Sequence, residues 1–177
     1  MSLIDNLVKA YATTDLPKVC ATVGIDTKLI QPINWLHLKE ASLAQWLYNS
    51  DRGTSRLAIT ANNFANLLYR DEMSGFANKI STKITPDEPT DLEYCQFSDV
   101  DKFIIGYWKF LTRSPYKGLE SHTNSPETFL GFITQQGFSS DHNYVKKIVT
   151  SIPTARLLLL AAGGTTVPST PDILAVI

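Results

Sequence analysis

The sequence predicts a mainly α protein (α+β) with one small β-hairpin, and three observations lead there. Apolar residues recur at helical spacing along most of the 177-residue chain. Ser and Asp caps open these periods, and Gly or Pro closes them. One stretch, 76–97, switches to the alternation of strands around a Pro86-Asp87-Glu88-Pro89 turn.

Taken in order, Ser2 and Asp5 form a capping box for a first helix, Leu3 to about Ala12, with Leu3, Leu7 and Tyr11 on one face. A second helix is expected from Leu16 to Val23, stopped by Gly24. Residues 25–34, broken by Pro32, read as a connector. A central helix follows from about Leu36 to Asn49, with an apolar stripe of Leu36, Leu43, Trp46 and Leu47. Gly53-Thr54-Ser55 supplies a turn and the N-cap of a short helix, Arg56 to Ala61, after which Asn62 and Asn63 fall in a loop. Beyond the hairpin, Ser98 with Asp101 is expected to cap a helix through Leu111 that packs Val100, Phe103, Ile104, Tyr107, Trp108 and Leu111. Ser125-Pro126-Glu127 starts the next helix, which Gly137 ends. Asp141 is expected to cap a helix through Ile152, and Pro153 marks the break before a last helix stopped by Gly163 and Gly164. The tail, with Pro168 and Pro171, cannot be helical throughout.

Composition is that of a globular domain, 44% hydrophobic and 19% charged. A formal charge of −1 gives no basic excess to meet phosphates, so nucleic acid is not an expected partner. Cys20 and Cys95 have no metal-like spacing and read as buried thiols, and His37, His122 and His142 are scattered, so neither a metal nor a cofactor is expected. The N-terminus has no basic segment leading into an apolar one, and no apolar run reaches the ~20 residues of a membrane span. The expectation is synthesis in the cytoplasm without a signal peptide.

The stretch LAQWLYNSDRGTSRLAITANNFANLLYR, residues 43–70, carries the chemistry. It resembles the core motif of the bacterial and phage N-acetylglucosaminidase family of peptidoglycan hydrolases. In that family an apolar helix ends in Leu-Glu-Ser-Gly, followed by an aromatic or Arg and Gly-(Thr/Ser)-Ser. A Leu-Ala pair and an Asn-Asn-(Phe/Leu)-(Ala/Phe)-Gly-(Leu/Ile)-Lys run come next. The family's Glu falls on Asn49, its three Gly positions on Asp51, Gly53 and Asn66, and its Lys on Leu68. Further on, Phe138 stands where the family's Tyr-Ala-Thr-Asp motif begins, and DHNYVKKI (141–148) is similar to its Asp-Pro-Asn-Tyr-(Ala/Val)-Lys-Lys segment. The resemblance implies a lysozyme-like helical domain, a hairpin lobe and a groove between them. It divides the chain into an N-terminal helical extension (1–35), a glucosaminidase-like domain (36–162) and an extended apolar tail (163–177).

The implied ligand is the glycan strand of peptidoglycan, with Asn62, Asn63, Tyr69, Phe138 and Tyr144 as its contacts. A glycosidase protonates its leaving oxygen with a carboxylic acid, and a carboxamide has no proton to give. Two readings stay open. In one, the chain is catalytically impaired and serves as a glycan-binding or structural subunit of a phage-tail or injection-type assembly, joined to other subunits through Ile173, Leu174, Val176 and Ile177. In the other it is an active hydrolase whose acid is Asp51 or a hairpin carboxylate. Asp51 serves only if the helix ends near Asn49, because two more helical residues rotate a side chain by roughly 200°. Asp87, Glu88, Asp91 and Glu93 are the hairpin candidates, Glu88 being the one carried forward. Acids at a hairpin tip are equally ordinary turn formers.

Overall fold

A computed structural model describes residues 1–88 and 90–164, so the tail contact expected of Ile173, Leu174, Val176 and Ile177 lies outside the described residues. Helix α1 (Leu3–Ala12) opens on the expected capping box: the Ser2 hydroxyl accepts from the Asp5 amide, and the Asp5 carboxylate accepts from Ser2. Helix α2 (Leu16–Val23) ends at Gly24, whose φ of 106° is a left-handed stop. After a 3₁₀ turn at Thr27–Leu29 comes α3 (Asn34–Asn49), and after it α4 (Arg56–Ala61), capped by Ser55. Strands β1 (Asn78–Thr82) and β2 (Leu92–Gln96) pair antiparallel, with Ile80 opposite Tyr94. Helices α5 (Val100–Phe110), α6 (Pro126–Ile133), α7 (Tyr144–Val149) and α8 (Ile152–Ala161) complete the mainly α, lysozyme-like arrangement.

Three expectations need correction. Helix α5 is capped by Asp99, whose carboxylate accepts from the Lys102 amide at 2.8 Å, and not by Ser98. The segment after Asp141 splits in two, α7 ending at Val149. Asp141 forms a turn by accepting from the Asn143 amide at 2.9 Å, short of the helix proper. The stripe expected on α3 is also too narrow: Glu40 through Leu47 are all buried. A helix buried all round must satisfy its polar side chains internally. Ser42 bonds the Tyr11 hydroxyl at 2.6 Å, and Glu40, 1% exposed, accepts from Arg156 Nε at 2.7 Å.

Helix α3 is thus the axis of the core. Trp46 lies at its centre, with the rings of Tyr11, Phe103 and Tyr107 at 4.4, 4.9 and 5.0 Å. Tyr11 comes from α1, so the N-terminal helices share this core. Cys20 and Cys95 are buried free thiols, and burial raises both pKa values, that of Cys95 to about 12. No helix among the described residues is long and apolar enough to cross a membrane.

Candidate functional site

The site begins where α3 stops. Ser50 is fully buried; its hydroxyl donates to the Trp46 carbonyl at 2.6 Å and accepts from the Gly53 amide at 2.8 Å, folding the chain back. Asp51, Arg52 and Gly53 follow with φ of 50°, 55° and 78°, a left-handed run that an L-residue enters only at a cost. The Cβ expected at Gly53 would lie 3.1 Å from the Ile4 side chain, so that position needs glycine for space as well as for φ. Beyond α4, Asn62 and Asn66 are again left-handed, at 49° and 53°. Asp51 and Asn66 occupy two of the three positions where the family motif places glycine, Gly53 being the third, and the backbone there keeps the conformation glycine favours.

Between them Asn63 ties the turn together. It is 0% exposed; its amide donates to the carbonyls of Leu67 and Cys95, and its oxygen accepts from the amides of Ala65 and Leu67. Ala65 is thereby fixed against the end of α3. Asn49 donates from Nδ2 to the Ala65 carbonyl at 3.2 Å and accepts at Oδ1 from the Tyr144 hydroxyl at 2.9 Å. Tyr144 in turn accepts from Gln45 Nε2 at 3.0 Å, and Gln45 Oε1 accepts from Tyr107. Residue 49 is therefore held by a chain of hydrogen bonds running back into the core. Burial raises the phenol pKa of both Tyr144 and Tyr107, so each stays a protonated donor.

Asn49 faces two hollows that meet at Asn66. One, of about 250 Å³, lies between Ser55, Arg56 and Leu57 on the helical side and residues 82–85 of the hairpin. The other, about 480 Å³ and more open, is bounded by Tyr48, Asp51, Phe138, Asp141 and Tyr144. Together they form one groove, whose first part lies between the lobes and whose second part runs along the helical side. Asp141 carries a carboxyl pKa below the usual range, because Lys147 donates to it at 2.7 Å.

The structure thus brings together Asn49, Asp51, Phe138 and Tyr144, with the Phe138 ring 6.4 Å from that of Tyr144. The condition on Asp51 is met: α3 ends at Asn49, and the exposed Asp51 lines the same hollow. The other named residues stand apart. Asn63, expected as a glycan contact, is enclosed with its amide fully engaged, so it has no polar group to offer a ligand. Asn62 donates to the Phe97 carbonyl at 3.0 Å, and Tyr69 lies under the Lys79 ammonium at 5.0 Å; neither lines the two hollows. Glu88 has both oxygens engaged within the hairpin, by the Ile84 amide at 3.2 Å and the Tyr94 hydroxyl at 3.1 Å. Gln45 is the residue sequence reasoning missed; its signal was a glutamine amid the apolar residues of α3. Among the described residues no three His, Cys, Asp or Glu side chains converge as a metal site would require.

Comparison with known proteins follows the same segment of chain. The model of the Glucosaminidase family, described as mannosyl-glycoprotein endo-beta-N-acetylglucosaminidase, matches residues 36–157, from the start of α3 into α8. No curated protein and no solved structure matches. A match over more than half of the chain, on the segment that builds the groove, places this protein in the Glucosaminidase family, whose substrate class is peptidoglycan.

Proposed function

We propose that this chain binds the glycan strands of peptidoglycan in its groove while its hydrolytic activity is strongly impaired. The observation that carries the reading is the lock on residue 49. Ala65 presents a carbonyl that needs a donor, and Tyr144 presents a hydroxyl that needs an acceptor. A carboxamide satisfies both at once, whereas an ionised carboxylate would meet the Ala65 carbonyl with like charge. Asn49 therefore fits its place as a structural and binding group. Loss of a positioned general acid costs about 10²- to 10⁴-fold in rate. The replacement of the family's Tyr by Phe138, in the same hollow, removes a further polar group. Within this proposal the chain works as a glycan-binding or structural subunit of a phage-tail or injection-type assembly; support for that part is the apolar run of residues 173–177.

A second reading, an active hydrolase, has one observation in its favour: the turn after Asn49 brings Asp51 to the groove. One assay separates the two. Purified protein incubated with peptidoglycan is expected to sediment with it and to release no reducing ends above background. Release that disappears in Asp51→Ala would establish the hydrolase instead.

A further inference from the structure

A third hollow, of about 210 Å³, opens on the other side of Asn66 and Phe138, which it shares with the Asn49 groove. Its walls include Arg70, Arg113, Phe110, Tyr116 and Gln136, and no acidic residue lines it. Arg113 is the unusual member. Its side chain is only 13% exposed, its guanidinium lies 4.7 Å from the Phe110 ring centre, and its buried Nε has no hydrogen-bond partner among the described residues. Among the described residues it forms an ion pair with the half-exposed Glu72, whose Oε2 lies 3.7 Å from Nε, too far for a hydrogen bond. Arg113 thus keeps only a loose internal partner, and its remaining guanidinium N–H groups are available to an acceptor in the hollow. Arg70 stands exposed at the rim. The Tyr116 phenol has its pKa raised by burial against the opposing pull of Arg113 and Arg70, so it remains a donor. Two guanidinia and a phenol among aromatic walls supply donors that suit a carboxylate, which arginine grips in a bidentate way.

We propose that this hollow is an anion subsite that takes a carboxylate of the strand whose sugars lie against Asn49. The inference rests on the glycan-binding reading above and adds to it a preference for acidic strands. The space, about 210 Å³, admits a carboxylate on a short arm. Two sources supply that group in peptidoglycan: the lactyl ether of muramic acid, or the peptide attached to it.

Titration calorimetry with three ligands of equal sugar length tests the proposal. They are a chitooligosaccharide with no carboxylate, a peptide-free oligomer alternating N-acetylglucosamine and N-acetylmuramic acid, and its peptide-bearing counterpart. An acidic ligand is expected to bind about tenfold tighter than the chitooligosaccharide, the scale of one hydrogen-bonded charge pair. If the lactyl group is the one bound, the peptide-free oligomer already shows the gain; if it is the peptide, only the third ligand does. Added salt is expected to shrink the preference. Arg113→Gln should abolish most of it, and Arg70→Gln, at an exposed position that leaves the fold alone, should reduce it about threefold. Equal affinity for all three ligands, or a preference that survives in both variants, overturns the subsite and leaves the glycan reading standing. Absence of binding by all three overturns both.

Discussion

The two walls of the groove are held in different ways. On the helical wall, residue 49 is fixed from behind by Ala65, Tyr144, Gln45 and Tyr107, and Ala65 is fixed by the buried Asn63. On the hairpin wall the side chains answer mainly to one another. Glu88 closes the tip through Ile84 and Tyr94, and Lys79 meets Glu93 at 3.7 Å with both side chains more than half exposed. Exposed pairs of that kind contribute little, about 0–1 kcal/mol. The contrast says where geometry is preserved. A change at residue 49 disturbs partners on several elements, whereas a change at Glu88 or Glu93 disturbs mainly the hairpin itself. The retained precision surrounds an asparagine, which is why a binding role is the better reading of the groove.

The largest expected effect falls on the tie between the walls. Asn63→Ala removes four buried hydrogen bonds and leaves the amides of Ala65 and Leu67 without the acceptor they share. Unmet buried groups cost ~1–3 kcal/mol each, so the loss should reach about 3 kcal/mol or more. In a domain of this size that lowers the melting temperature by about 10 °C. A loss below a degree would mean that the helical wall does not depend on this hub, and the contrast between the walls would fail.

A smaller, pH-dependent effect tests the lock itself. Asn49→Asp keeps the shape but offers Ala65 an acceptor where it needs a donor. Only a protonated carboxyl satisfies the site, so the folded state should raise this group's pKa above the ordinary ~3.9. Below that value the folded and unfolded states both carry the proton, and the variant keeps its stability. As pH rises through the folded-state pKa the stability falls, and it levels off once both states are ionised, about 1–3 kcal/mol lower. Asp141, whose folded pKa is lowered chiefly by Lys147, works in the other direction and is common to both proteins, so the difference from wild type isolates residue 49. Denaturant melts between pH 3 and 8 check it; a difference that does not change with pH would show that the Ala65 carbonyl does not govern the site.

What could be read in the sequence divides along a similar line. The capping box of Ser2 and Asp5, the stop at Gly24 and the caps at Ser55 and Ser125 were all legible, because a cap and its partner lie within a few residues. The cap of α5 slipped by one residue because Ser98 and Asp99 are adjacent and both able to serve. The burial of Glu40 through Leu47 on every face of α3 was not legible: Glu40 is answered by Arg156, Ser42 by Tyr11, and Gln45 by Tyr107 and Tyr144, all from distant parts of the chain. The family motif located Asn49 correctly at a helix end. It could not say that Asn49 is locked, or that Asn63 is an enclosed hub of four hydrogen bonds.

The smallest expected effect concerns the turn that carries Asp51. Its φ of 50° is left-handed, and its side chain makes no hydrogen bond among the described residues, so nothing local offsets the strain. Glycine adopts this conformation freely, and aspartate tolerates it better than most L-residues. Relief of that strain, offset in part by the freedom glycine gains in the unfolded chain, should leave Asp51→Gly more stable by about 0.5 kcal/mol. The same variant removes the one carboxylate that the turn brings to the groove. If the helical wall is a binding surface, the variant melts slightly higher and sediments with peptidoglycan as wild type does. If Asp51 is the acid of an active enzyme, the added stability comes with loss of the reducing-end release that wild type would then show. A lower melting temperature would mean that the Asp51 side chain supports the turn through solvent-facing contacts. The left-handed run from Asp51 to Gly53 would then be maintained by its side chains as well as by the Ser50 hydroxyl that folds it back.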